Sequence, residues 1–189
     1  MGEQDDAVLV AAQLGQAWAL TALYDSLAPA VAGYLRSRGA SDADDLTSEV
    51  FLAVFPRLPT VTGGPAGLRT LTFTVAHGRL VDDLRRQSRR PPAFPYDPDR
   101  DGRTVPSAED QALDRALPGP AGEAMARLAS DQQEVLALRV VADLSLEQTA
   151  RAMGRSTGAV KQLQRRALLA LRGELGVTGR QPSMITRTT

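Results

Sequence analysis

The sequence predicts an all-α protein: two small helical domains joined by a Pro-rich linker, the second a helix-turn-helix domain. Three observations carry this. Apolar residues recur at three- and four-residue steps through about residues 8–90 and again from 122 to 175, the spacing of helix faces. Between these runs, PPAFPYDPDRDGRTVPSAEDQALDRALPGP holds seven prolines and few periodic apolar residues. In the second run two serines suited to capping flank a glycine turn, and the helix after the turn is basic. The 189 residues allow one medium domain or two small ones, at about 100–200 residues per domain.

Val8, Leu9 and Ala12 open the first stripe, and Ala19, Leu20, Leu23 and Leu27 the second. Pro29 falls inside that second pattern, so a kink or break is expected there. Val31, Tyr34 and Leu35 carry the stripe on to Gly39, which ends the helix. Ser41 and Asp42 suit the N-cap of the next. In DADDLTSEVFLAVFPRL, Leu46, Val50 (with Phe51), Val54 and Leu58 form one apolar face, and Asp44, Asp45 and Glu49 put negative charge where the helix dipole favours it. Pro56, Pro59 and Gly63-Gly64-Pro65 end it in a loop. A long helix from about Ala66 to Gln87 follows, with Leu68, Leu71, Val75 (with Ala76), Leu80 and Leu84 on its buried side. It ends in the basic run RRQSRRPP.

The linker spans 91–121 with one short helix near Ala108–Ala116, and as a tether it is expected to let the domains reorient. Beyond it, Met125, Leu128, Val135 (with Leu136), Leu138 and Val141 are spaced for amphipathic helices, with Ser130 as a cap. Ser145 caps a short helix through Met153, Gly154 turns the chain, and Ser156 caps a longer helix through about Leu175. Residues 176–189 read as a disordered tail.

Composition narrows the function. The chain has no Cys, which excludes a disulfide scaffold, a thiolate metal site and a thiol redox sensor. His77 is the lone His, so no His-based metal site forms, and it reads as a polar surface or strand contact. No carboxylate pair has a base or nucleophile beside it, so no catalytic residue is assigned and no cofactor is expected. Asp82 and Asp83 read as caps or as partners of Arg85 and Arg86. Gly63-Gly64-Pro65-Ala66-Gly67 lacks the Lys and Ser/Thr of a phosphate-binding loop. An acidic N-terminus and the absence of a long apolar run point to a cytoplasmic protein without membrane insertion.

The net charge is zero but unevenly spread: −6 over residues 1–50, +4 over 51–100, −3 over 101–123 and +5 over 124–189. The basic blocks suit a polyanion. On the last helix Val160, Leu163, Ala167 and Leu171 fall on one side, while Ser156, Thr157, Lys161, Gln162 and Arg165 project away. Small hydroxyls and long donors at that end suit base edges and phosphates in a major groove, and Arg155 and Arg166 suit phosphate. The plainer reading is a helical hairpin with a solvated basic face. RRQSRRPP is likewise either a solvated helix end or a phosphate track.

In this order the motifs resemble a bacterial family. DADDLTSEVFLAVF, LRTLTFTVAHGRLVDDLRRQSRRP and LASDQQEVLALRVVADLSLEQTARAMGRSTGAVKQLQRRALLALR are similar to the core-binding, −10-reading and −35-reading segments of extracytoplasmic-function sigma factors of the sigma-70 family. The likeness covers about residues 8–90 and 122–175. It implies a promoter-recognition subunit of RNA polymerase, with a sigma-2-like domain over 1–90 and a sigma-4-like domain over 122–175. Asp45, Leu46, Glu49, Val50 and Phe51 are then assigned to core polymerase. Arg69, Thr72, Phe73, His77, Arg79, Arg85, Arg86, Arg89 and Arg90 are assigned to the separated −10 strand. Arg155, Ser156, Thr157, Lys161, Gln162, Arg165 and Arg166 are assigned to the −35 duplex. The implied partners are core RNA polymerase and promoter DNA, with an anti-sigma factor as an optional inhibitor and no small-molecule substrate. Gln162-Leu163-Gln164 resembles an actinobacterial variety of the recognition helix. Leu71 stands where the family usually carries Trp, and Gly78 where it often carries Asn. A helix-turn-helix regulator with a ligand- or protein-sensing first domain is the alternative reading.

Overall fold

The computed structural model describes residues 3–89 and 119–176; the expected short helix near Ala108–Ala116, most of the linker and the tail lie outside these. The described residues form eight α-helices and no strand. They are α1 (Glu3–Gln13), α2 (Ala17–Ser37), α3 (Ala43–Val54), α4 (Gly64–Arg89), α5 (Pro120–Ala126), α6 (Ser130–Leu136), α7 (Leu146–Ala152) and α8 (Thr157–Glu174). A 3-10 turn over Phe55–Thr60 follows α3, and a π-helical turn over Ala137–Val141 follows α6.

The first four helices pack around a core in which Val31, Tyr34, Leu35, Val50, Phe73, Ala76 and Leu80 are wholly buried. Each Val, Leu or Phe among them contributes about 1.5–3 kcal/mol of transfer free energy. That explains why α2 does not break at Pro29, as the sequence led us to expect. Pro29 removes one ladder hydrogen bond, but Leu27, Val31, Ala32, Tyr34 and Leu35 around it are all buried, so the apolar face stays on one continuous helix.

Capping positions the next elements. Gly39, at φ +80°, reverses the chain after α2. Asp42 then caps α3, its Oδ1 accepting from the Asp44 and Asp45 amides at 3.1 and 2.9 Å. Ser41, the other candidate cap, instead ties the loop to α4. Its amide and hydroxyl donate to the Asp83 carboxylate at 2.8 and 2.7 Å. Gln13 donates to the Leu58 and Val61 carbonyls at 3.1 Å each, pinning the end of α1 to the turn before α4.

The remaining helices form a second unit around Leu128, Val135, Leu136, Ala150, Val160, Leu163 and Ala167. Ser130 opens α6 rather than capping it; the cap position is Ala129, whose amide donates to Gln132 Oε1 at 3.2 Å. Ser145 and Gln148 close a reciprocal capping box at the start of α7. Gly154, at φ +62°, makes the turn, and Ser156 Oγ accepts from the Ala159 amide at 3.2 Å to start α8.

The two units are in contact rather than held apart. Ala137, Leu138, Ala142, Leu144 and Ala152 belong to the core of the first unit. The physical reason is that α6 and its π-turn are apolar on two sides: Val135 and Leu136 face the second unit's core, and Leu138 faces the first.

The start of α4 depends on Gly67, where a Cβ would overlap the Thr62 carbonyl. Gly67→Ala is expected to cost about 1–3 kcal/mol, the range for forced overpacking, read as a lowered melting temperature by circular dichroism.

Candidate nucleic-acid interface

On α3 the candidate residues divide between two faces. Asp45 is exposed and Glu49 half-buried, its carboxylate 3.6 Å from the Arg79 guanidinium. Leu46, Val50 and Phe51 are buried, so the assignment of these three to a partner surface is corrected: they hold α3 to α2 and α4. Phe51 lies between Tyr24 and Phe55, with ring centroids 4.7 and 5.5 Å away. The outward apolar residue is Leu52, 74% exposed. It was legible in the sequence, since 45, 49 and 52 are spaced i, i+4 and i+7 on one helix face.

On α4 the corrections are Thr72 and Phe73, both 0% exposed. The Thr72 hydroxyl donates to the Leu68 carbonyl at 3.0 Å, and Phe73 meets Tyr34 edge-on at 5.8 Å. They fall on the buried stripe with Ala76 and Leu80 and support the helix from within. Leu71 is partly buried against the same core, whereas Gly78 faces open space. Arg79, Arg85, Arg86 and Arg89 are exposed; Asp82 lies 3.7 Å from Arg85 and Asp83 lies 4.0 Å from Arg86. Arg90 lies outside the described residues.

Arg69 and His77 have partners from the second unit. Arg69 Nε donates to the Ala142 carbonyl at 2.8 Å, and its guanidinium sits 5.4 Å from the Phe73 ring centroid. His77 Nδ1 is 2.9 Å from Glu134 Oε1. A carboxylate only accepts, so Nδ1 carries the proton. The Tyr34 hydroxyl donates to the same oxygen at 2.5 Å. Arg38 Nε donates to Glu134 Oε2 at 2.9 Å, and its other nitrogens reach Gln133 Oε1, the Ser130 carbonyl and the Ser130 hydroxyl. The Arg38 and Glu134 side chains are 4% and 7% exposed, so this is an interior ion pair joining α2, α4 and α6. Nothing in the residue pattern around Glu134 distinguished it from a surface acid.

Burial pushes the Glu134 carboxyl up, but His77, the Tyr34 hydroxyl and Arg38 together outweigh it and hold the group below the ordinary glutamate range. Burial, reinforced by the Glu134 charge, pushes the Tyr34 phenol well up. Asp83 follows the logic of Glu134: burial raises it, and the Ser41 and Gln87 hydrogen bonds carry it below its ordinary value.

On α8 the expected division holds. Val160, Leu163 and Ala167 are buried, while Arg155, Ser156, Thr157, Lys161, Gln162, Arg165 and Arg166 are all exposed. Arg155 pairs with Asp131 at 2.5 Å. Among the described residues no group of three or more His, Asp or Glu could hold a metal ion, and no helix is long and apolar enough to cross a membrane.

Comparison with known proteins identifies the family. Residues 23–90 match the family model for Sigma-70 region 2, and residues 124–173 that for Sigma-70, region 4. The chain is 35% identical over 187 residues to the ECF RNA polymerase sigma factor SigD of Mycobacterium tuberculosis, covering 94% of this chain and 87% of SigD. The chain belongs to the ECF sigma factors. It therefore serves RNA polymerase as a promoter-recognition subunit, and the alternative of a ligand-sensing regulator falls away. BldN of Streptomyces coelicolor, another actinobacterial ECF sigma factor, is 33% identical over 162 residues, covering 85% of this chain and 61% of BldN. The fold of the sigma factor is also that of CnrH, solved with the cytosolic domain of CnrY, at TM-score 0.66 and 21% identity over 93% of this chain and 99% of CnrH. RpoE of Bartonella quintana, solved with the anti-sigma factor NepR, gives 0.62 and 20% over 84% and 98%.

The depressed carboxyl groups set a pH dependence. A carboxyl group whose folded pKa lies below its unfolded value contributes stability that is complete above the unfolded value and is lost as pH falls through the folded one. The melting temperature of the sigma factor is expected to fall as pH drops from about 5 toward 3. Glu134→Gln and Asp83→Asn should each flatten that profile, measured by thermal denaturation across the pH series.

Proposed function

We propose that this sigma factor divides promoter recognition between its two units. Residues 1–90 engage core polymerase and the −10 strand, and residues 122–175 engage the −35 duplex. Asp45, Glu49 and Leu52 on α3 form the polymerase face, an acidic rim around one apolar anchor, which suits a basic partner surface. Arg69, His77, Arg79, Arg85, Arg86 and Arg89 on α4, with Arg90 beyond it, track the separated strand. The start of α8 enters the major groove with Ser156, Thr157, Lys161 and Gln162, while Arg155, Arg165 and Arg166 meet phosphates.

The single observation that carries this reading is the division of α8, with every candidate contact residue exposed over a buried Val160, Leu163, Ala167 stripe. The protein works by positioning polymerase and DNA, without catalytic chemistry of its own, in the cytoplasm where both lie. An anti-sigma factor is a further partner in this reading.

Two experiments test it. In pull-downs with core polymerase, Asp45→Arg and Leu52→Arg are expected to weaken capture without lowering the melting temperature. Phe51→Ala is expected to cost about 3–5 kcal/mol of stability, since it empties a core position. Equal capture by both outward variants would remove α3 from the interface.

For α8, Lys161→Ala is expected to lose about 1–3 kcal/mol on a duplex carrying the −35 element and to relax preference at one base pair. Arg165→Ala is expected to weaken binding to matched and scrambled duplexes alike and to lower the salt slope by about one. Fluorescence anisotropy over a salt series reads both. Unchanged affinity and slope in both variants would take α8 out of the duplex interface.

A further inference from the structure

The basic end of α4 carries one polar residue that DNA contact does not use. Ser88 sits in the last turn of the helix, exposed, its hydroxyl donating to the Arg85 carbonyl at 2.9 Å. Arg85 and Arg86 stand three and two positions before it, and Arg89 follows directly. Of the serines and threonines in the sequence, only Ser88 has arginine at both the third and the second position before it. Ser41, three positions after Arg38, has its hydroxyl committed to Asp83, and Thr72, three positions after Arg69, is wholly buried. Gln87 donates to the Gly39 carbonyl and to Asp83, so the helix is fixed to the body of the first unit one residue before the serine.

A serine preceded by two arginines suits a kinase whose substrate groove is lined by carboxylates, because each guanidinium then makes a charge-assisted hydrogen bond. Both arginines are accessible to such a groove. Arg85 lies 3.7 Å from Asp82 and Arg86 lies 4.0 Å from Asp83, with the arginine side chains 68% and 64% exposed. Solvent replaces contacts of this kind at little cost. The last turn of a helix also holds carbonyls without partners in the helix, and it opens more readily than the middle.

We propose that Ser88 is a phosphorylation site, modified by an arginine-directed serine kinase with a nucleoside triphosphate as donor, and that the phosphate cancels the positive end of α4. In the transfer the γ-phosphorus loses its bond to the oxygen that bridges it to the β-phosphate and gains one to Ser88 Oγ. The hydroxyl proton passes to a carboxylate base of the kinase, and the nucleoside diphosphate leaves. The new group brings a charge of about −1.5 to −2. At the C-terminal end of a helix the dipole opposes that charge, so arginine has to hold it: Arg85, one turn back on the same face, and Arg89 beside it. The effect on DNA rests on the reading that Arg85, Arg86 and Arg89 meet the −10 strand; the assignment of the acceptor does not.

The test uses the full chain, magnesium ATP and the catalytic subunit of cyclic-AMP-dependent protein kinase as the arginine-directed probe, read by intact mass and peptide mapping. The folded chain is expected to take one phosphoryl group on Ser88, and Ser88→Ala none. With Arg85→Ala and Arg86→Ala together, incorporation is expected to slow by about tenfold or more, since two charge-assisted contacts to the kinase are lost. An unmodified Ser88, incorporation only after thermal unfolding, or an unchanged rate in the double variant overturns the site. The phosphorylated chain is then expected to bind a short mixed-sequence DNA single strand about tenfold more weakly at low salt, with the salt slope lower by about one. Kinase-treated Ser88→Ala is expected to bind as the untreated wild type does. Full modification with unchanged affinity and slope overturns the charge switch, and unmodified Arg85→Ala with Arg89→Ala tells the causes apart. If that variant also binds like the wild type, the strand reading of the end of α4 has failed and the acceptor site stands. If it binds more weakly, the strand reading stands and the phosphate does not cancel the arginines.

Discussion

Glu134 is a carboxylate in the interior of a helical protein, and an ionised carboxylate is buried only with partners. Arg38 supplies the charge, and Tyr34 and His77 supply two further donors. These partners come from the end of α2 and the middle of α4, while Glu134 comes from α6. Satisfying one group therefore fixes three helices and both units relative to one another. Removing one member of such a pair costs about 3–5 kcal/mol, because the other charge is left unpaired. Apolar burial adds to this contact but sets its register less sharply, since Ala137, Leu138 and Ala142 tolerate small slides that a hydrogen-bonded carboxylate does not.

The same constraint explains the two uses of α4. Its inner stripe of Leu68, Thr72, Phe73, Ala76 and Leu80 is the pillar of the first unit. The flanking positions carry Arg69 and His77, and its end carries Arg85, Arg86 and Arg89. At about 39 Å for 26 residues, the helix is long enough for both roles. Asp83 secures the far end by accepting from Ser41 and Gln87, so the basic terminus projects from an anchored base.

Much of the architecture was legible in the residues themselves. Asp42, Ser145, Ser156, Gly39 and Gly154 act as the caps and turns that their side chains and allowed φ values imply. The division of α8 followed from the spacing of Val160, Leu163 and Ala167, and the two family segments were recognisable in order. The faces of α3 and α4 were read less well. The motif assigns Leu46, Val50 and Phe51 to a partner although their own periodicity places them on the buried face of α3, while Thr72 and Phe73, buried in the structure, lie off the stripe of Leu68, Leu71, Val75, Leu80 and Leu84 that the spacing predicts for α4. Leu52, next to the buried Phe51, is the outward residue that the periodicity of α3 indicates.

By itself the sequence determined most of the helices, the caps at Asp42, Ser145 and Ser156, the grouping into two units and the exposed basic face of α8, because each follows from local spacing and the conformational limits of single residues. Only the tertiary structure decided that Pro29 stays within a helix, that the two units touch, and that Glu134, Arg38, Tyr34 and His77 meet. Those outcomes depend on contacts between residues about 40 to 100 positions apart. A single buried carboxylate leaves no periodic trace in the chain; its effect appears only when distant donors are brought around it.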